Sequence, residues 1–174
     1  MSKYTDTLLV SPSDVKAGSY IDYNVSDGMI GPAIRTAQDT YLREIIGDAL
    51  LDKLMQLEYN AIIHENPSMD SMEEYKYLLE TYVQPYLIAK TQVEILLPIS
   101  LEIRNAGVVQ KYDTNIQAAQ LSNISRLRKY YETQAIDKAN RMVTYLNEAK
   151  DLFPELKCTC NNGLKLRANT GLHI

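Results

Sequence analysis

Residues 31–54 read GPAIRTAQDTYLREIIGDALLDKL, and this stretch decides the fold class. Gly31-Pro32 opens a helix, with Pro at a first-turn position where its missing N–H costs nothing. Ile30, Ile34, Ala37, Tyr41 and Ile45 follow at spacings of four, three, four and four, which places them on one helical face. Gly47 is the expected stop, in a left-handed conformation, and Asp48 the expected cap of a second helix. In that helix Leu50, Leu51, Leu54, Leu57 and Ala61 again share a face. Two amphipathic helices joined at one glycine form a hairpin built for packing.

The same period continues downstream. His64-Glu-Asn-Pro67 interrupts it, with His64 at a helix end where a cationic imidazole suits the dipole. Asp70-Ser-Met-Glu73 restarts it as a capping box. Met72, Tyr75, Leu79, Tyr82, Tyr86, Ala89 and Val93 then run on past Pro85. A proline inside such a run either kinks the helix or begins a new one, so a kinked or broken helix is expected over about 70 to 104. Asn105-Ala-Gly107 is a stop, and VVQKYDTN beyond it reads as an extended loop or hairpin over 107–118. Leu121, Ile124, Tyr131, Ala135, Ala139, Met142, Leu146 and Ala149 mark the longest helix, uninterrupted by Gly or Pro until Pro154. About 30 residues give about 45 Å of helix, more than one small domain needs.

Residues 1–30 carry turn formers and no sustained period, and read as an irregular N-terminal arm with at most a short strand or turn over 4–10. Residues 152–174 lose the helical period and read as an extended C-terminal interface tail, to be ordered by a partner. The expected architecture is therefore all-α. A small helical bundle over 31–151 carries one long helix, a mid-chain loop or hairpin, and the two arms. A chain of 174 residues is long enough to bury a core without metal or disulfide help.

Composition narrows the function classes. The longest apolar run falls far short of the roughly 20 residues of a spanning helix. The N-terminus has no signal-peptide core, so a cytoplasmic site of synthesis is expected and the sequons at Asn24 and Asn123 carry no glycan meaning. Cys158 and Cys160 form a lone C-x-C, and His64 and His173 lack ligand spacing, so no metal is expected. No phosphate loop, nucleophile elbow or metalloprotease motif is present. Glu44, Asp48 and Asp52 recur at four-residue intervals, a row that suits a solvated or interface face better than acid–base or magnesium chemistry, since Gly47 cuts it. Neither a catalytic residue nor a cofactor is expected.

Charge and aromatic usage say more. Residues 1–100 carry a net charge of -8 and residues 101–174 a net of +4. Opposite halves can meet within the fold or head to tail between copies. Thirteen tyrosines stand against one Phe and no Trp. Tyr carries an apolar ring and a hydroxyl, so the excess fits half-wet subunit interfaces, or a core in which Tyr replaces Phe. Arg126, Arg128 and Lys129, next to Tyr130 and Tyr131, form a basic cluster that suits either a solvated helix face or a nucleic-acid-binding helical regulator.

The run Ala33-Ile34-Arg35-Thr36-Ala37-Gln38, then Tyr41-Leu42, Ile45-Ile46-Gly47-Asp48-Ala49-Leu50 and Leu54, resembles the opening helices of bacteriophage head-to-tail connector proteins, the neck or adaptor ring proteins beneath the portal. Arg104-Asn105-Ala106-Gly107-Val108-Val109 with its basic, Tyr-rich following helix is similar to a longer subgroup from phages of Bacteroidetes-type hosts. The resemblance covers about residues 30 to 150 and rests mainly on packing residues. It implies a structural virion protein without enzyme activity, assembled into a homo-oligomeric ring of about twelve copies around a closed axis. It further implies docking on the portal protein, contact with other neck or tail proteins, and genomic DNA passing through the channel without sequence-specific binding. The place implied is the virion neck between capsid and tail, reached from the host cytoplasm during assembly, with no membrane contact. Arg126, Arg128, Lys129, Glu44, Asp48, Asp52, Lys165 and Arg167 are the candidate interface or channel residues.

Overall fold

The computed structural model describes residues 6–64, 72–104, 107–110 and 121–159. They form α1 (Pro12–Ala17), α2 (Asp27–Thr36), a π-helical turn (Ala37–Leu42), α3 (Arg43–Ile46), α4 (Asp48–His64), α5 (Glu73–Leu78), a second π-helical turn (Leu79–Val83), α6 (Gln84–Ser100), strands β1 (Leu101–Arg104) and β2 (Gly107–Gln110), α7 (Leu121–Glu148) and α8 (Pro154–Thr159). The fold is a small helical bundle carrying one short antiparallel hairpin. Helix α6 sits at its centre, packed against α2 on one side and α7 on the other.

The apolar stripes account for the core. Ile30, Ile34, Ala37 and Ile45 are buried, as are Leu50, Leu51, Leu54 and Leu57. From α7 come Ile124, Tyr131, Ala135, Ala139, Met142 and Leu146. Gly47 joins α3 to α4 with φ 80° and ψ 165°. The positive φ is the expected one, but the extended ψ takes this residue out of the left-handed helical well, into a region that only glycine enters readily. Asp48 is consequently the first helical residue and not a cap; its carboxylate accepts from the Arg43 guanidinium at 2.8 Å.

Several expectations are corrected. The N-terminal segment is packed and partly helical: Leu9, Val10 and Val15 are buried in the core. Helix α1 forms because Ser11 and Asp14 make a reciprocal capping box, with Pro12 just inside the first turn. Helix α2 begins at Asp27 and not at Gly31, and Asp27 is tied to Lys16 at 2.7 Å. Gln38 holds the segment from below. The Leu9 N–H donates to its Oε1 at 3.0 Å, and its Nε2 donates to the Thr7 carbonyl at 3.0 Å.

Helix α5 starts at Glu73 behind Met72, so Glu73 is the first helical residue and does not close the predicted box; Asp70 and Ser71 lie outside the described residues. The run from α5 to α6 is continuous through the π turn just before Pro85. A wider turn is how a helix absorbs a residue that cannot donate its backbone bond. The helix then ends at Ser100, four residues early, with the Ser100 hydroxyl bonded to the carbonyls of Leu96 and Leu97. Pro98 has already weakened the ladder there, and Leu101 to Arg104 pair instead with β2, Ile103 opposite Val108. The mid-chain hairpin thus starts earlier than expected, and residues 111–118 lie outside the described part.

The C-terminal stretch is also not extended at its start. Phe153 is fully buried and Leu156 nearly so, with α8 against α4. Residues 160–174, including Cys160, Lys165 and Arg167, lie outside the described residues.

Candidate assembly surfaces

The acidic row does not gather into a site. Glu44, Asp48 and Asp52 are exposed, Asp48 is engaged by Arg43, and no group of three or more metal-ligating side chains occurs among the described residues. The basic cluster is split by the helical period. Arg126 and Lys129 are exposed, whereas Arg128 is half-buried and its charge acts on Tyr41. Among the described residues no helix is long and apolar enough to cross a membrane.

An ion pair within α6, covered by Tyr41 of the first π turn, is the main buried polar feature. The Lys90 Nζ stands 3.6 Å from the centre of the Tyr41 ring and 3.2 Å from Glu94 Oε1, with the two charged side chains 9% and 16% exposed. The contact is coulombic, because Oε1 makes no hydrogen bond in this geometry. Burial, followed by the neighbouring Glu94 carboxylate, raises the Tyr41 phenol above its ordinary range. The arrangement positions α2 and its π turn against α6, and Lys90 covers the aromatic face in a cation–π contact.

Two tyrosine surfaces remain on the outside, both anchored on α7. On the first, Tyr20 stacks on Tyr131 at 6.4 Å and Tyr130 lies 5.6 Å from the same ring. Tyr131 is buried, so it serves as the floor, while Tyr20 is 83% exposed and Tyr130 56%. Leu127, one helical turn before Tyr130 and Tyr131, and Tyr23, three residues after Tyr20, are exposed as well.

The second surface is built by the other π turn. Tyr82 stacks on Tyr145 at 4.6 Å and 10°, and Tyr77 meets both rings edge-on at 5.9 and 5.6 Å. Phe153 lies beneath Tyr145, and it meets Tyr75 at 5.2 Å. The Tyr75 hydroxyl donates to Glu155 Oε2 at 2.8 Å, which ties α8 to the same cluster. A shallow hollow opens beside Tyr77 and Tyr145, rimmed by Glu73, Glu74, Lys76 and Glu80. The excess of tyrosine thus divides: Tyr75, Tyr86 and Tyr131 serve the core, while Tyr20, Tyr23, Tyr77 and Tyr130 face solvent. Which tyrosine does which is set by the π turns and the loop before α2, and composition carries no signal for that.

No curated protein and no solved structure matches the chain. One family does, over residues 42–164, which is more than two thirds of the sequence and takes in the glycine hinge, α6, the hairpin and α7. With that extent of match, the chain belongs to the family of unknown function DUF6712.

Proposed function

We propose that the protein is a structural subunit of a bacteriophage head-to-tail connector, a ring that docks beneath the portal and extends the DNA channel toward the tail. The observation that carries this reading is the pair of exposed tyrosine surfaces on one helix. Tyr130 and Tyr145 are separated by about 22 Å along α7 at 1.5 Å per residue. A repeating subunit needs two separate docking faces held at fixed distance, and a stiff helix through the core supplies that spacing. Exposed Tyr joins apolar area to a hydroxyl that satisfies itself at a wet rim, which suits a surface that is solvated before assembly and covered after it. The resemblance of residues 30–150 to connector proteins agrees, and the scattered acids support a structural role over a catalytic one.

The test is direct. Purified chain mixed with the portal protein of the same virion is expected to co-sediment with it and to add a ring of density at one end in electron micrographs. Absence of binding to the portal, together with salt-sensitive binding to duplex DNA by the free monomer, would instead select a helical regulator acting through Arg126 and Lys129.

A further inference from the structure

The two tyrosine surfaces differ in charge as well as in place. Beside the first, Arg126 lies four residues from Tyr130, hence on the adjoining helical surface, and Lys129 lies three residues from Arg126 on its outer side; both are exposed. Asp22, in the loop between Tyr20 and Tyr23, is the opposing charge there. Around the second, Glu73, Glu74 and Glu80 are exposed at the rim of the Tyr77 hollow, with Lys76 among them. Its far flank carries Lys138, Arg141 and Glu148, and Arg141 is already paired with Asp137 at 3.1 Å. One face is therefore aromatic with a basic edge, the other aromatic with an acidic edge, on the same rigid helix.

We infer that the basic Tyr20–Tyr130 face of one copy docks on the acidic Tyr77–Tyr145 face of the next. This rests on the connector reading and specifies how its subunits join. Three observations select a second copy as the occupant. The faces are complementary in charge, so each chain carries both halves of the contact. They share a chemistry, with rings available for edge and stacked packing against rings. They are also far apart, so the contact is heterologous. Isologous pairing would set Arg126 and Lys129, or the three glutamates, against their own copies. A heterologous contact whose rotation closes makes a ring with no free face, whereas one that does not close grows as a filament.

Charge exchange tests the pairing in the full-length chain by sedimentation velocity at low salt. Arg126→Glu/Lys129→Glu and Glu74→Lys/Glu80→Lys are each expected to weaken self-association at least about tenfold, by placing like charges across the contact. An equimolar mixture of the two variants, and the chain carrying all four changes, are expected to assemble again. Circular dichroism melts matching the wild type establish that each variant is folded. Double variants that assemble as the wild type does, or whose loss is not recovered in the mixture, overturn the pairing. A wild type that stays monomeric alone overturns it too. None of these results bears on portal binding, whose failure is what sinks the connector reading.

Discussion

Gln38 and Leu9, 29 residues apart, are joined by a buried hydrogen bond of 3.0 Å from the Leu9 N–H to the Gln38 Oε1. Gln38 is 1% exposed and its Nε2 also bonds the Thr7 carbonyl, while Gln84 Nε2 donates to the Leu9 carbonyl at 3.3 Å, so two glutamine side chains satisfy the backbone of a segment that has no strand or helix to pair with. Gln38→Leu keeps the volume and removes both bonds. The expected cost is about 1 to 3 kcal/mol per backbone group left unpaired, seen as a lower urea midpoint. The Leu9 amide should also exchange faster with solvent than in the wild type. An unchanged midpoint and exchange rate would show that the Gln38 bonds are dispensable and that Leu9 and Val10 packing with the Gln84 bond hold the segment.

The hinge makes a second prediction. At φ 80° and ψ 165°, Gly47 sits where a Cβ brings strain, so Gly47→Ala is expected to destabilise by about 1 to 3 kcal/mol in denaturant unfolding. A neutral or stabilising result would mean that α3 and α4 can merge into one helix without loss of packing.

The ion pair predicts non-additivity. Lys90→Met leaves the Glu94 carboxylate buried and uncompensated and removes the cation over Tyr41, with an expected cost of about 3 to 5 kcal/mol. Adding Glu94→Leu should recover most of that loss, because an apolar pair of similar volume needs no charge desolvation. Thermal melts of the two single variants and the double variant close the cycle. If the two losses simply add, the residues act independently.

A fourth prediction concerns pH. Burial, then the charges of Asp14 and Glu80, raises the Glu58 carboxyl above its ordinary value of 4.5. A carboxyl raised in the folded state binds its proton more tightly there than in the unfolded chain. Its contribution is fully present below pH 4.5 and is lost as pH rises through the raised value. Glu58→Gln should therefore be more stable than the wild type at neutral pH, and the difference should vanish in acid. Melting curves from pH 3 to pH 8 check this. A difference that grows toward low pH would reverse the sign and refute the burial account.

Much of the helical core was legible because burial on a helix repeats every three or four residues. The stripes from Ile30 to Ile45, Leu50 to Leu57 and Ile124 to Leu146 were readable for that reason, and so was the break at Gly47. Shorter features left no such trace. The π turns occupy five and six residues each, too few for a changed period to show, yet they aim Tyr41 at Lys90 and Tyr82 at Tyr145. Helix α8 has six residues, so Phe153 and Leu156 looked like a tail when they belong to the core.

Ser11-Pro12-Ser13-Asp14 did carry a signal. It is a capping box with Asp in place of Glu, and it outweighs the turn tendency of Ser-Pro. Lys90 reads as a surface lysine until α2 and α7 close over α6, since nothing local marks a charge that tertiary packing will bury. For the same reason composition showed that tyrosines were abundant but not which of them stay outside.

A ring-forming subunit, as proposed, has an assembled particle of defined mass. Native mass spectrometry of the full-length protein, with light scattering at high concentration and low salt, should give one closed species at an integer multiple of 19.8 kDa. The resemblance to connectors sets that multiple at about twelve, and heterologous closure predicts that no ladder of larger species accompanies it. A strictly monomeric particle under those conditions that also fails to bind a portal would contradict the account.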